Sequence, residues 1–71
     1  MKIEYDKEAD ALYVYFREIE VAKSKEVEDG VVIDLDQNNH IVGIEILNAS
    51  KRLKAHELAN VNIENLPVEM S

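Results

Sequence analysis

The chain contains no cysteine, no tryptophan and no threonine, and only one proline and two glycines in 71 residues. Without cysteine it can form neither a disulfide nor a thiolate metal site. A chain of this length buries only about 60% of the surface its unfolded form exposes. It therefore relies on a compact core or on oligomerisation for stability. With two glycines, Gly30 and Gly43, there is no glycine-rich phosphate loop. The two histidines, His40 and His56, lack the further nitrogen or sulfur ligands of a zinc site. Basic residues are scarce: eight against fifteen acids give a net charge of −7. Such a surface repels phosphate backbones and anionic membranes and favours, if anything, a basic partner protein. No apolar run approaches the roughly 20 residues of a membrane span. The opening stretch, MKIEYDKEADALYVY, carries acids where a leader would be apolar. The expected setting is the cytoplasm, with no membrane partner, no nucleic acid and no cofactor.

What is present is mostly period-two alternation, the pattern of strands. Ile3-Glu4-Tyr5 and Ala11 to Phe16 flank the polar stretch Asp6 to Asp10 and read as a hairpin. Val31 to Leu35 and Ile41 to Leu47 are the strongest strands, joined by Asp36-Gln37-Asn38-Asn39-His40. Asn39 suits a left-handed position in that loop. Asp29-Gly30 supplies another turn. Gly43 in mid-strand predicts a bulge or a close approach by another group. Arg17 to Lys25 is polar and irregular, with Ile19 and Val21 lining a long loop or extending the second strand. A helix is predicted over Ser50 to Ala59, started by Asn48 or Ser50 and ended by Asn60. Ala55, Leu58 and Ala59 share one side of it, and Leu53 projects nearly opposite.

The expected fold is α+β: a four-stranded antiparallel meander with one C-terminal helix packed on one face. The domain spans residues 1–60, and residues 61–71 form a tail that offers a short edge strand, although Pro67 argues against a central one. Val14, Ile33, Ile44 and Leu58 are expected to share a core between sheet and helix. Tyr13 and Tyr15 then occupy the face the helix leaves open, and with Leu53 they are the candidate interface of a homodimer.

Sites of chemistry are thin. Asp6, Glu8 and Asp10 alternate as at the start of a calcium loop, but the glycine and glutamate that define such a loop are replaced by Ala11 and Arg17. A solvated acidic turn accounts for them. Asp34 and Asp36 lie two apart beside His40, which leaves open a small hydrolase or ligand-binding site built on these three. Alternation along an amphipathic strand explains the two aspartates equally well. Lys51, Arg52 and Lys54 crowd a helix start, where the dipole favours acids. They are a candidate contact for an anion or an acidic partner, or they neutralise the acidic turn at Glu26 to Asp29.

The segments Tyr5-Asp6 with Ala11-Leu12-Tyr13-Val14, Val32 to Asp36, and Ile41-Val42-Gly43-Ile44-Glu45-Ile46-Leu47-Asn48-Ala49-Ser50 resemble the family called domain of unknown function 2283. The resemblance covers about Lys2 to Leu58 and departs where Asn39 replaces a frequent glycine. It implies a small prokaryotic protein with a four-stranded sheet and a helix, and it carries over no catalytic residue. It also implies, for some members, a place beside toxin genes. The leading expectation is a non-enzymatic module that self-associates or binds a small partner protein. The alternatives are an antitoxin-like neutraliser of a basic toxin and the Asp34, Asp36, His40 enzyme.

Overall fold

A computed structural model describes residues 1–65 of the chain. Five strands form one antiparallel sheet: β1 (Lys2–Asp6), β2 (Ala11–Tyr15), β3 (Lys23–Glu28), β4 (Val31–Leu35) and β5 (Ile41–Leu47). Two short helices follow, α1 (Ala49–Arg52) and α2 (Ala55–Ala59). The α+β class is as expected, but the sheet has five strands rather than four and the helix is split. The additional strand, β3, is exposed at every position. It is an edge strand of sequence KSKEVE, whose charges deter edge-to-edge pairing and erase the apolar alternation that marks a buried strand. The order β1-β2-β5-β4-β3 also departs from a simple meander. β5 returns to pair with β2, and residues 16–22 cross from β2 to the far edge.

The predicted turns form where the backbone needs them. Gly30 has φ +80 and Asn39 has φ 64, both left-handed. Between Asp34 and Leu35 the register with β5 shifts, so Leu35 stands opposite Ile41. Gly43 answers to a close approach: a Cβ there would lie 2.5 Å from the Val14 carbonyl oxygen.

The single predicted helix breaks at Leu53 and Lys54, both extended in backbone (φ/ψ −123/138 and −75/159). The break removes the conflict between Leu53 and the Leu58 stripe, because the two leucines no longer need opposite sides of one cylinder. Asn48 precedes α1 in the left-handed conformation and makes no side-chain cap. Asn60 follows α2, its Nδ2 donating to the His56 carbonyl at 2.6 Å. Residues 60–64 are exposed and form no strand; Leu66 and Pro67 of the predicted tail lie outside the described residues.

Register assigns the two sheet faces. Ile3, Val14, Ile44, Ile33 and Lys25 form one cross-strand row, and Tyr5, Leu12, Ile46, Val31 and Glu28 the next. These rows make an aliphatic face. Opposite it run Glu4, Tyr13, Glu45, Val32 and Glu26, then Lys2, Tyr15, Gly43, Asp34 and Ser24. The expected core residues Val14, Ile33, Ile44 and Leu58 are half-buried rather than fully buried, and the helical segment is split into helices of four and five residues. Among the described residues the buried apolar ones are Ala11, Val42 and Ala49.

Gly43 gives a test with a distinctive sign. Replacing a strand glycine by alanine ordinarily gains stability. Here Gly43→Ala drives a methyl into the backbone of β2 and should cost about 1–3 kcal/mol in urea unfolding. A stabilised variant would mean that β2 and β5 are not so closely paired.

Candidate functional site

Two polar centres stitch the sheet, and a third lies on its acidic face. The first is Asp10, at the end of the β1–β2 turn with φ 52. Its Oδ1 accepts from the Tyr5 hydroxyl at 2.7 Å and from the Ser50 backbone N–H at 3.0 Å. Its Oδ2 accepts from Ser50 Oγ at 2.7 Å, and its carbonyl oxygen accepts from the Ala49 N–H at 2.9 Å. These bonds, that from Tyr5 first, hold its carboxyl below the ordinary 3.8. Asp6 caps the same turn, accepting from the Glu8 and Ala9 N–H groups. At the other corner Arg52 donates to Glu28 at 2.9 Å and to the Asp29 carbonyl. Helix α1 thus pins both hairpin turns at one end of the sheet. In the basic cluster Arg52 engages the acidic turn, while Lys51 and Lys54 are exposed.

The second centre is Asp36, only 7% exposed. Its Oδ1 accepts from the Asn38 and His40 N–H groups at 2.8 and 2.9 Å, and its Oδ2 accepts from Arg17 at 2.7 Å. The backbone bonds, led by that from His40, with Arg17 beside them, hold its carboxyl low. It shapes the β4–β5 loop and anchors the start of the crossover. The exposed His40 ring lies 4.0 Å from Asp36 Oδ2.

The third centre surrounds Asp34, 3% exposed on the acidic face. Ser24 Oγ donates to its Oδ1 at 2.6 Å. Gly43 stands opposite with no side chain, and Glu45, two residues along on the same face, reaches Asp34. The hydrogen bond to Asp34, then burial and the Asp34 charge, push the Glu45 carboxyl from 4.5 up to about 7. Tyr13 and Tyr15 stack beside the pair, with ring centroids 6.1 Å apart and planes within 8°. The sequence reading placed both tyrosines on this face but missed Glu45, which is visible only through the pairing of β4 with β5.

Asp34, Asp36 and His40 therefore do not form one site. Asp34 is held by Ser24 and Glu45, whereas Asp36 is spent on its loop and Arg17. The register shift after Asp34 breaks the alternation that would have placed the two aspartates side by side. Among the described residues no group of three or more histidines and carboxylates is arranged to hold a metal, and no helix is long and apolar enough to cross a membrane. Leu53 lines a groove with Tyr5, Ser50 and Leu58, away from the tyrosine stack.

Two outcomes follow. The folded state binds the Glu45 proton more tightly than the unfolded chain, so this contribution is full below about pH 4.5 and is lost as pH rises through about 7. Asp10 and Asp36, held low, act in the opposite sense and lose their contributions as pH falls below 3.8. Thermal stability should peak in mild acid and decline toward neutrality. Glu45→Gln should remove that decline and melt higher than the parent above about pH 7; parallel profiles would show that the two carboxyls are not coupled. Separately, Asp10→Ala and Ser50→Ala should each lower the melting temperature, and the double variant should lose little more than either. Additive losses would show that the clamp does not act as a unit.

Residues 2–50 match the family described as protein of unknown function (DUF2283). An uncharacterised protein of Methanocaldococcus jannaschii is 49% identical over 51 residues, covering 72% of this chain and 43% of the relative. A Methanosarcina mazei protein bearing the name "Putative hypoxanthine phosphoribosyltransferase" is 32% identical over 72 residues, covering 99% of this chain and 58% of the relative. The chain thus spans about half the length of these relatives. No solved structure matches it. The matched segment contains all five strands and ends on Ser50, the residue that closes the Asp10 clamp, and the chain belongs to the DUF2283 family.

Proposed function

We propose that the chain is a non-enzymatic protein-interaction module, and that its working surface is the aliphatic face of the sheet. One observation carries this reading: Ile3, Val14, Ile44, Ile33, Leu12, Ile46 and Val31 share a face, and none of them is fully buried. An antiparallel sheet tolerates water on one face when that face is polar. Here the polar face is the other one, with Glu4, Glu26, Asp34 and Glu45. A contiguous apolar surface of this kind on a small domain marks a contact with another chain.

This departs from the expected tyrosine interface in a specific way. The tyrosine interface follows from one helix covering the opposite face, whereas the helical segment is split into pieces of four and five residues. Residues of the crossover, Ile19 and Val21, also lie beside Tyr15 and partly occupy its side of the sheet. The phosphoribosyltransferase name of the Methanosarcina relative finds no counterpart in the chain's glycines. Gly30 sits in a hairpin turn and Gly43 in mid-strand against β2, neither in a loop that could cradle phosphate.

The test uses a tagged chain produced in a cell beside an untagged copy. The parent should retain a protein, either its own copy or another, that Ile44→Lys does not retain, with circular dichroism confirming that the variant keeps its sheet. A parent that retains nothing, or a folded Ile44→Lys variant that retains the same protein equally well, would overturn the reading.

A further inference from the structure

We propose that the aliphatic face is covered by a second copy of this chain, docked face to face about a two-fold axis running along β5. The proposal rests on the interaction reading above and names its partner.

Area is the first argument. Ile3 and Tyr5 on this face are 42% and 41% exposed, and Leu12, Val14, Ile33 and Ile44 are half-buried. A standard interface takes about 800 Å² from each partner. A second sheet of the same size, about 10 Å away, removes that much from each copy at once.

Shape and charge are the second. β5 is the central strand of the five, so an axis along it superposes each face on itself and brings Ile44 of both copies to the middle, as an isologous contact requires. Two chains of charge −7 must approach through their least acidic side. On the aliphatic rows the carboxylate is Glu28, and Arg52 already neutralises it at 2.9 Å. Glu4, Glu26, Asp34 and Glu45 all lie on the other face. The lysines of this side, Lys23 and Lys25, are confined to edge strand β3. With the axis along β5 they pass over β1 of the second copy. An axis across the strands would instead set them over a second pair of lysines.

Sedimentation of the purified chain over a wide dilution range should show a dimer that persists or tightens from low to moderate salt, as like charges are screened. Ile33→Lys should weaken association about thirtyfold or more, the loss expected at the centre of an interface, while Tyr15→Glu on the opposite face should leave it unchanged. The parent supplies a second measurement that needs no folded variant. A soluble paramagnetic probe should spare the methyl groups of Val14, Ile33 and Ile44 in concentrated solution and reach them on dilution. A monomer at all concentrations would overturn the proposal, and would leave the interaction reading standing if the tagged chain still retains a different protein through Ile44. A dimer broken by Tyr15→Glu, or one whose Val14, Ile33 and Ile44 methyls stay open to the probe, would also overturn it.

Discussion

A sheet of five strands has two faces, and the described chain beyond its strands is too short to cover either. Every other feature follows from that shortage. The residues outside the strands are turns, one crossover, two helices of four and five residues, and an exposed C-terminal stretch. The helical segment breaks at Leu53, and α1 fastens the ends of the hairpins. The apolar residues that are fully buried are correspondingly small or sit where chain elements converge: Ala11 beside the Asp10 turn, Ala49 at the start of α1, and Val42, whose carbonyl accepts from Phe16 and Arg17.

In place of a large apolar core, the molecule depends on buried carboxylates with well-defined partners. Asp34 and Asp36 are its buried polar residues, and none of the described buried side-chain nitrogens or oxygens lacks a hydrogen bond. A buried acid is costly unless its lone pairs are occupied. Asp36 meets that condition with two backbone N–H groups and Arg17. Asp34 meets it differently, with a hydroxyl and a neighbouring carboxyl group, so part of its satisfaction depends on a proton held between two acids. The Glu45 carboxyl is therefore raised while that of Asp36 is lowered, so the two centres respond to pH in opposite directions.

The elements legible in the sequence were those whose local chemistry and tertiary setting agree. β4 and β5 alternate cleanly, the Asn39 and Gly30 turns need left-handed backbone, and Gly43 announced a close neighbour that proved to be Val14. β3 was not legible, because an edge strand that is exposed throughout carries Lys, Ser and Glu where the period-two signal would require apolar residues. The helix boundary failed for a related reason: Leu53 and Leu58 offered conflicting stripes, and the chain resolved the conflict by breaking. Of the candidate site, the tyrosine face and the acidity of Asp34 could be read directly. The Asp34–Glu45 pair could not, since it joins residues brought together only by strand order and by a glycine that leaves room between them. Asp10 looked like one more acid in a solvated turn. Its partner Ser50 lies forty residues away, beyond the reach of any local pattern.

Residues 2–50, the segment matched to the family, contain the whole sheet and the clamp that closes it. A sheet with one aliphatic face and one acidic face is asymmetric in a useful sense: hydrophobic burial acts on the first, while charge keeps the second in water. In the proposed dimer an identical sheet is the cover, bringing an apolar face of the same outline and the same twist. The acidic faces then lie outward on both sides of the assembly, where their mutual repulsion is screened and their tyrosines and protonatable Glu45 remain accessible.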